Sequence, residues 1–284
     1  MPAVVDRVVF STECVTIGAF RCAASHPSFR NSGPIRDDCF VFPRTTVVIQ
    51  HDGARAFVAD PTVITLYNRQ QEYERRAISD DGDRCDWFAV SHDLLRAALI
   101  EHDPWAAEAE RPIRFTHAQS DASTYLEQRR LFLDAGAPGA ADELAIEERV
   151  VTLLDRVLGL AYRDRCARAH GRQANGIALA DAAKAWIGTR ITQRLTLARI
   201  GAALDCSVFH LCRSFRQATG LTLHDYRNQV RLRLALERLE QGERDLTRMA
   251  LDLGYSSHSH FTAAFHRSFD VPPSTARKLL IVRG

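Results

Sequence analysis

Five side chains between Val208 and Arg216 carry a pattern suited to reading a chemical edge. Val208, Phe209, Cys212, Arg213 and Arg216 stand at i, i+1, i+4, i+5 and i+8, which gathers them on one face of a helix. Leu211, Phe215 and Ala218 take the inward face. A guanidinium presents two parallel N–H donors, and that fork matches the O6 and N7 acceptors of guanine. Such a contact discriminates between bases by about 1–3 kcal/mol. Arg213 is placed to make it, with a phosphate contact or a solvated surface charge as the plainer role. Phe209 suits thymine methyls, or else the core. Fifty residues further on the pattern returns with poorer donors: Phe261 and Phe265 face inward, leaving His258, Ser259, Thr262 and Ala263 outside. That second surface suits phosphate positioning and shape more than base choice. Arg231, Arg267 and Arg277 are further phosphate candidates; each could instead hold the domain together by pairing with a carboxylate, and for Arg231 on the joining helix that is the better reading.

The elements that must hold these side chains recur as well. The first copy runs from Thr196 to Gly220 and the second from Asp245 to Asp270. Each reads as a short amphipathic helix, a tight turn and a second helix opened by a serine cap, Ser207 in one and Ser256 or Ser257 in the other. Small residues in the first helices, Gly201 and Ala250, allow close crossing. This is the layout of a helix-turn-helix, whose second helix enters a major groove. A longer helix from Leu223 to about Glu243 joins the two copies. Two copies on one connecting helix are far more specific than one.

Tyr226, Arg231, Leu232, Ala235, Leu239, Ala250, Gly254, Tyr255, Phe261, Phe265, Phe269, Pro273 and Arg277 together resemble the signature of the AraC/XylS family of bacterial transcription regulators, over roughly the last hundred residues. The resemblance implies a sequence-specific DNA-binding regulator of the activating kind. It also implies contacts with RNA polymerase and an amino-terminal domain, often a cupin-like barrel, that binds an effector or pairs two copies. The expected DNA-contacting set is Ser207, Val208, Phe209, Cys212, Arg213, Arg216, Ser257, His258, Ser259, Thr262 and Arg267. Double-stranded DNA would be met in two successive major grooves per subunit. Four positions depart from the family pattern. Asp205 and Asp270 replace glycine where positive φ is wanted, Gly201 replaces alanine, and Ala276 replaces an aromatic. None of them removes a base-reading residue.

Charge is divided between the halves of the chain. Residues 179–284 hold 16 of the 37 Lys+Arg and 9 of the 35 Asp+Glu, a net of +7, and the remainder nets −5. A basic half beside an acidic half fits nucleic-acid binding confined to one domain. Only Lys184 and Lys278 are lysines, so nearly every cation is a guanidinium. Seven scattered cysteines without a CxxC pair read as reduced thiols. No signal-peptide pattern and no apolar run near the ~20 residues that span a bilayer are visible. The expected location is the cytoplasm, with no membrane partner.

The expected fold is α+β in two domains. Residues 1–168 would form a cupin-like β-barrel with accessory helices, 169–178 a linker, and 179–284 an all-α domain with two helix-turn-helix motifs joined by a long helix. The first 90 residues read as short strands punctuated by Asp60-Pro61 and by Asp52-Gly53 and Asp81-Gly82 turns. CFVFPRTTVVIQH reads as a strand pair and RCDWFAVS as a closing strand. Helices follow over 91–101, 120–134 and 141–168, with PWAAEAERP and AGAPGA as breaks. In the last helix Ile146, Val150, Leu153, Val157 and Leu160 form an a/d stripe. It could cap the barrel's own core or serve, around 143–165, as the seam of a homodimer. Arg44, Tyr67, Asn68, Arg69, Tyr73 and Trp87 could line an effector pocket or sit on an edge. His26, His51, His92, His102 and His117 stand apart, without the His-x-His pair of metal-binding cupins. No cofactor, metal or enzymatic activity is expected. The alternatives are a bifunctional enzyme-regulator, using a reactive cysteine such as Cys39 or Cys85 or a metal-dependent barrel, and a constitutive regulator whose barrel only dimerises.

Overall fold

The computed structural model describes residues 4–137, 142–168 and 174–281. The chain divides into two compact units, residues 1–167 and 168–283.

The first unit contains strands β1 (Val5–Ser11), β2 (Val15–Cys22), β3 (Asn31–Ser32), β4 (Asp38–Pro43), β5 (Val47–His51), β6 (Phe57–Ala59), β7 (Val63–Tyr67), β8 (Tyr73–Ala77), β9 (Asp83–Val90) and β10 (His117–Gln119). They make two sheets with antiparallel pairing, one in the order β1-β2-β9-β4-β7-β10 and the other β3-β8-β5-β6. CFVFPRTTVVIQH does hold two strands, β4 and β5, but they belong to different sheets instead of pairing. Arg44 and Thr45 make the crossing, both donating their backbone N–H to the Arg84 carbonyl. β6 and β7 divide in the same way at Asp60, whose carboxylate accepts from the N–H and hydroxyl of Thr62 at 2.7 and 2.6 Å. RCDWFAVS is not a closing strand. As β9 it lies between β2 and β4 in the larger sheet, because both of its faces are apolar enough to be covered.

Alternation along β9 divides the unit into two interiors. Cys85, Trp87 and Ala89 line a cavity of about 790 Å³. Phe88 stacks on Phe40 at 5.3 Å on the opposite face, and Asp86 there accepts from Gln128 at 2.8 Å and pairs with Arg129. Gln128 and Arg129 come from a layer of helices: α1 (His92–Ile100), α2 (Pro104–Ala107), α3 (Ala122–Ala135) and α4 (Glu143–Arg168). The break expected at PWAAEAERP contains α2, started by Pro104 at its first turn and by the Asp103 cap. On α4 the stripe residues Ile146, Val150, Leu153 and Val157 are at most 2% exposed, Leu160 at its end is half-buried, and Leu154, Leu158 and Ala161 widen it. The subunit therefore covers this face itself. Leu144 and Val151, 60% and 39% exposed, lie outside the stripe.

The second unit holds α5 (Ala174–Gly188), α6 (Leu197–Ala203), α7 (Val208–Thr219), α8 (Leu223–Glu240), α9 (Leu246–Asp252), α10 (His258–Phe269) and α11 (Pro273–Leu280). Helix α5 begins inside the stretch read as linker, since Ile177 and Leu179 continue the apolar pattern that buries Ala180, Ala183 and Ile187. Residues 169–173 of that stretch lie outside the described residues.

His51 gives the first unit a titratable core. It is 1% exposed, with the Tyr67 and Phe57 rings 4.5 and 5.8 Å away, and burial pushes its imidazole down to about 4. The unfolded chain binds the proton near pH 6.5, so this contribution to stability is complete above that pH and is lost as pH falls towards 4. The unit is expected to be about 2 kcal/mol less stable at pH 5 than at pH 7 through this residue. Urea melts followed by circular dichroism should show the loss, and His51→Leu should flatten it. An unchanged pH profile in the variant would refute the assignment.

Candidate nucleic-acid interface

Both recognition helices are fixed by the same local devices. In the first copy α6 is capped by Thr196, which accepts from Arg199 N–H at 3.2 Å, and α7 by Ser207, which accepts from His210 N–H at 3.2 Å. In the second copy Asp245 accepts from Arg248 N–H at 2.9 Å, and Ser257, not Ser256, accepts from His260 N–H at 3.1 Å. Each turn closes by one backbone bond: Cys206 N–H to the Gly201 carbonyl at 3.0 Å and Tyr255 N–H to the Ala250 carbonyl at 2.9 Å. The residue that bends the chain there has positive φ, Asp205 at 49° and Gly254 at 77°. The recognition helices end alike, on Gly220 at φ 76° and Asp270 at 60°. The two aspartates thus do take up the left-handed conformation expected of them. Gly201 is needed at the turn, because a Cβ there would lie 2.8 Å from the Cys206 carbonyl oxygen.

Inward residues anchor the two helices. Leu211 and Phe215 are fully buried, with the Phe215 ring 5.5 Å from Tyr226 on α8. Phe261, Phe265 and Phe269 form a ring ladder with centroids 5.7 and 4.7 Å apart. Ala276, where an aromatic is usual, is also fully buried.

The outward faces match the sequence reading except at Cys212, and they differ from one another. On α7, Phe209 is 75% exposed and Val208 39%, which settles Phe209 as surface and not core. Arg213 and Arg216 are exposed and pair with no carboxylate among the described residues. Cys212 is half-buried against the core of the first copy. On α10, His258, Ser259, Thr262, Ala263, His266 and Arg267 line one shallow concavity. His258 and Thr262 face each other at 3.4 Å. Where α7 carries Arg213 and Arg216, α10 carries Ala263 and His266.

Arg231 does not reach for phosphate. It is 8% exposed, and it donates to the Ile191 carbonyl at 2.9 Å and the Gly254 carbonyl at 3.2 Å, with the Tyr255 ring 5.7 Å away. The sequence suggested a carboxylate partner, but its partners are backbone carbonyls. Burial, reinforced by neighbouring Arg227, lowers its pKa to about 10. Sequence reasoning placed residues 179–188 in this unit but did not name the helix, α5, to which they belong. It contributes Lys184, 4% exposed with its ammonium 5.7 Å from the Tyr226 ring centroid. The buried alanines of α5 were the available signal.

Paired helix-turn-helix units with exposed cationic faces define a DNA-binding transcription regulator. Residues 200–279 match a helix-turn-helix domain. The regulatory protein SoxS of Escherichia coli K12 is 41% identical over 96 residues, which span 34% of this chain and 90% of SoxS. The transcriptional activator RhaS of Klebsiella pneumoniae is 32% identical over 94 residues, 33% of this chain and 34% of RhaS. A structure of ToxT from Vibrio cholerae aligns over 96% of this chain and all of that one, at 12% identity and a TM-score of 0.37, too loose a likeness to transfer anything. The chain belongs to the AraC family.

Exchanging one side chain tests the difference between the faces. His266→Arg restores on α10 the guanidinium that α7 has at Arg216. At pH 8 it should tighten DNA binding and steepen the log–log salt dependence by about one unit. Filter binding or fluorescence anisotropy between about 50 and about 200 mM salt would show it. An unchanged slope would mean that α10 stands away from the phosphates.

Proposed function

We propose that this regulator selects its sites chiefly through α7, while α10 holds register on the DNA backbone. The observation that carries this is the unequal chemistry of two equally built helices: α7 presents two exposed guanidiniums, Arg213 and Arg216, that pair with no carboxylate among the described residues, whereas at the equivalent positions α10 presents Ala263 and His266, beside hydroxyls and a single guanidinium, Arg267. Two such helices on one domain suit successive major grooves about 34 Å apart, so one subunit would read an asymmetric site of roughly two turns. Arg213 would read a guanine, and the exposed Phe209 would rest on thymine methyls. Arg267 and Arg216 suit phosphates. Activation of transcription with RNA polymerase as partner, and action in the cytoplasm, belong to the same proposal. SoxS and RhaS bear on it by their names as a regulator and an activator. Among the described residues no helix is long and apolar enough to cross a membrane.

The amino-terminal unit is proposed as the sensor. The supporting observation is its cavity, which Tyr67, Tyr73 and Trp87 line, the first of the two positions the sequence left open for them. Asn68 is instead tied to Ile113 by two hydrogen bonds of 2.8 and 2.9 Å, and Arg44 approaches Asp86 at 3.8 Å. A reactive-cysteine function fits poorly, because burial pushes the thiols of Cys39 and Cys85 up and so disfavours the nucleophilic thiolate. Among the described residues no three His, Cys, Asp or Glu side chains gather as metal ligands. Pairing of two copies along α4 would have to use its outward residues, such as Leu144 and Val151, the stripe being covered.

The decisive test selects DNA sites from randomised duplexes with the full chain at fixed salt. A common two-turn site is expected, and Arg213→Ala should weaken binding by about 1–3 kcal/mol and relax one base step. Uniform weakening without any change in the selected site would make Arg213 a phosphate contact and end its reading role.

A further inference from the structure

The cavity between the two sheets holds a group that DNA binding does not use. Arg75 Nη1 and Asp83 Oδ2 meet at 2.7 Å on its wall, with 3% and 8% of their side chains exposed. An ion pair this deep costs the desolvation of both charges, and an apolar pair would stabilise such a core as well or better. Stability therefore gives no reason for it to be there. Its geometry is also tightly held. Arg75 Nε donates to the Phe29 carbonyl at 3.1 Å, and the guanidinium lies 4.5 Å from the Phe20 ring centroid, 5.3 Å from Phe29 and 5.8 Å from Tyr73. Phe20, Tyr67, Tyr73 and Trp87 give the cavity aromatic walls. Trp87 is itself positioned, since Gly18 leaves the space that its indole fills and its Nε1 donates to Asp6 at 2.9 Å.

We infer that this cavity binds an uncharged flat ring carrying a hydrogen-bond donor beside an acceptor, as in an aromatic carboxamide or a lactam. The donor would meet Asp83 and the acceptor Arg75. The inference rests on the reading of this unit as the sensor and adds the chemistry of what it senses. The reason is one of charge. Arg75 and Asp83 already neutralise each other, and the other charged lining residues, Asp6, Arg36 and Asp37, are solvent-exposed. An anion could gain Arg75 only by displacing Asp83, and a cation could gain Asp83 only by displacing a guanidinium that three rings enclose. A neutral donor–acceptor pair adds to both partners and displaces neither. The lining thiols of Cys39 and Cys85 stay protonated through burial and add no charge. A volume of about 790 Å³ accommodates a ligand of one or two rings.

Three probes of one shape and different charge test this on the full chain at neutral pH: benzamide, benzoate and benzamidine. Binding is read by the part of the tryptophan fluorescence response that is lost in Trp87→Phe, since the chain also holds Trp105 and Trp186, and by thermal shift. Benzamide is expected to bind at least tenfold more tightly than either ion. Asp83→Asn, which leaves Arg75 without its counter-charge, should reverse the preference to benzoate. Ala89→Phe fills the cavity from β9 and should abolish binding, with retained DNA binding reporting an intact second unit. Benzoate or benzamidine binding as well as benzamide would overturn the inferred class and leave the sensor reading standing. If none binds, N-phenyl-1-naphthylamine decides between the two. Dye uptake lost in Ala89→Phe would mean a cavity for another class of ligand, and no uptake at all would remove the sensor reading as well.

Discussion

One buried guanidinium ties the DNA-binding unit together. Arg231, on the connecting helix α8, grips the chain before the first motif through the Ile191 carbonyl and the turn of the second through the Gly254 carbonyl. Its neighbour Arg227 also donates to Ile191, at 3.2 Å, and to the Gln193 carbonyl. A cation buried without a carboxylate is tolerated only when dipoles surround it, and here backbone carbonyls and the Tyr255 ring supply them. Gly254 is bound to the same arrangement twice over. Its φ of 77° suits the turn, and a Cβ there would collide with the Arg231 guanidinium. The Tyr255 hydroxyl donates to Asn228 at 2.7 Å, which closes the link back to α8.

From that frame the two motifs inherit equal geometry and unequal chemistry. Caps, turn-closing bonds and left-handed helix ends recur almost residue for residue, whereas the exposed positions have diverged. Copying the backbone plan is demanding because each turn tolerates few residues. The outward face of a recognition helix has no packing partner within its own unit, so its residues are free to vary with what they touch. Specificity can therefore be unequal without any loss of stability.

How much was legible in the sequence follows the same division. The helix-turn-helix units could be read because their signals are local: serine caps, small residues at the crossing and a phenylalanine every fourth position. The left-handed roles of Asp205 and Asp270 were readable for the same reason. The amino-terminal unit was readable as short strands but not in their order. Sheet membership of β4 and β5 depends on where the chain crosses between sheets, and Arg44 and Thr45 carry no pattern that announces a crossing. β9 was read as a closing strand because it comes late in the strand series, yet pairing with the distant β2 and β4 places it inside the larger sheet. The stripe on α4 was visible, but periodicity says only that a face is covered. The partner of Arg231 was also out of reach, since carbonyls leave no mark in a sequence.

The scarcity of lysine has a consequence for control. Lys184 is buried, and Lys278 is the one other lysine in the chain. Acylation of amines, a common way to loosen proteins from nucleic acid, has almost nothing to act on, because the cations exposed on α7 are guanidiniums. The positive charge of this surface is set when the chain is made. Adjustment afterwards falls to occupancy, to salt and to whatever changes the state of the other unit.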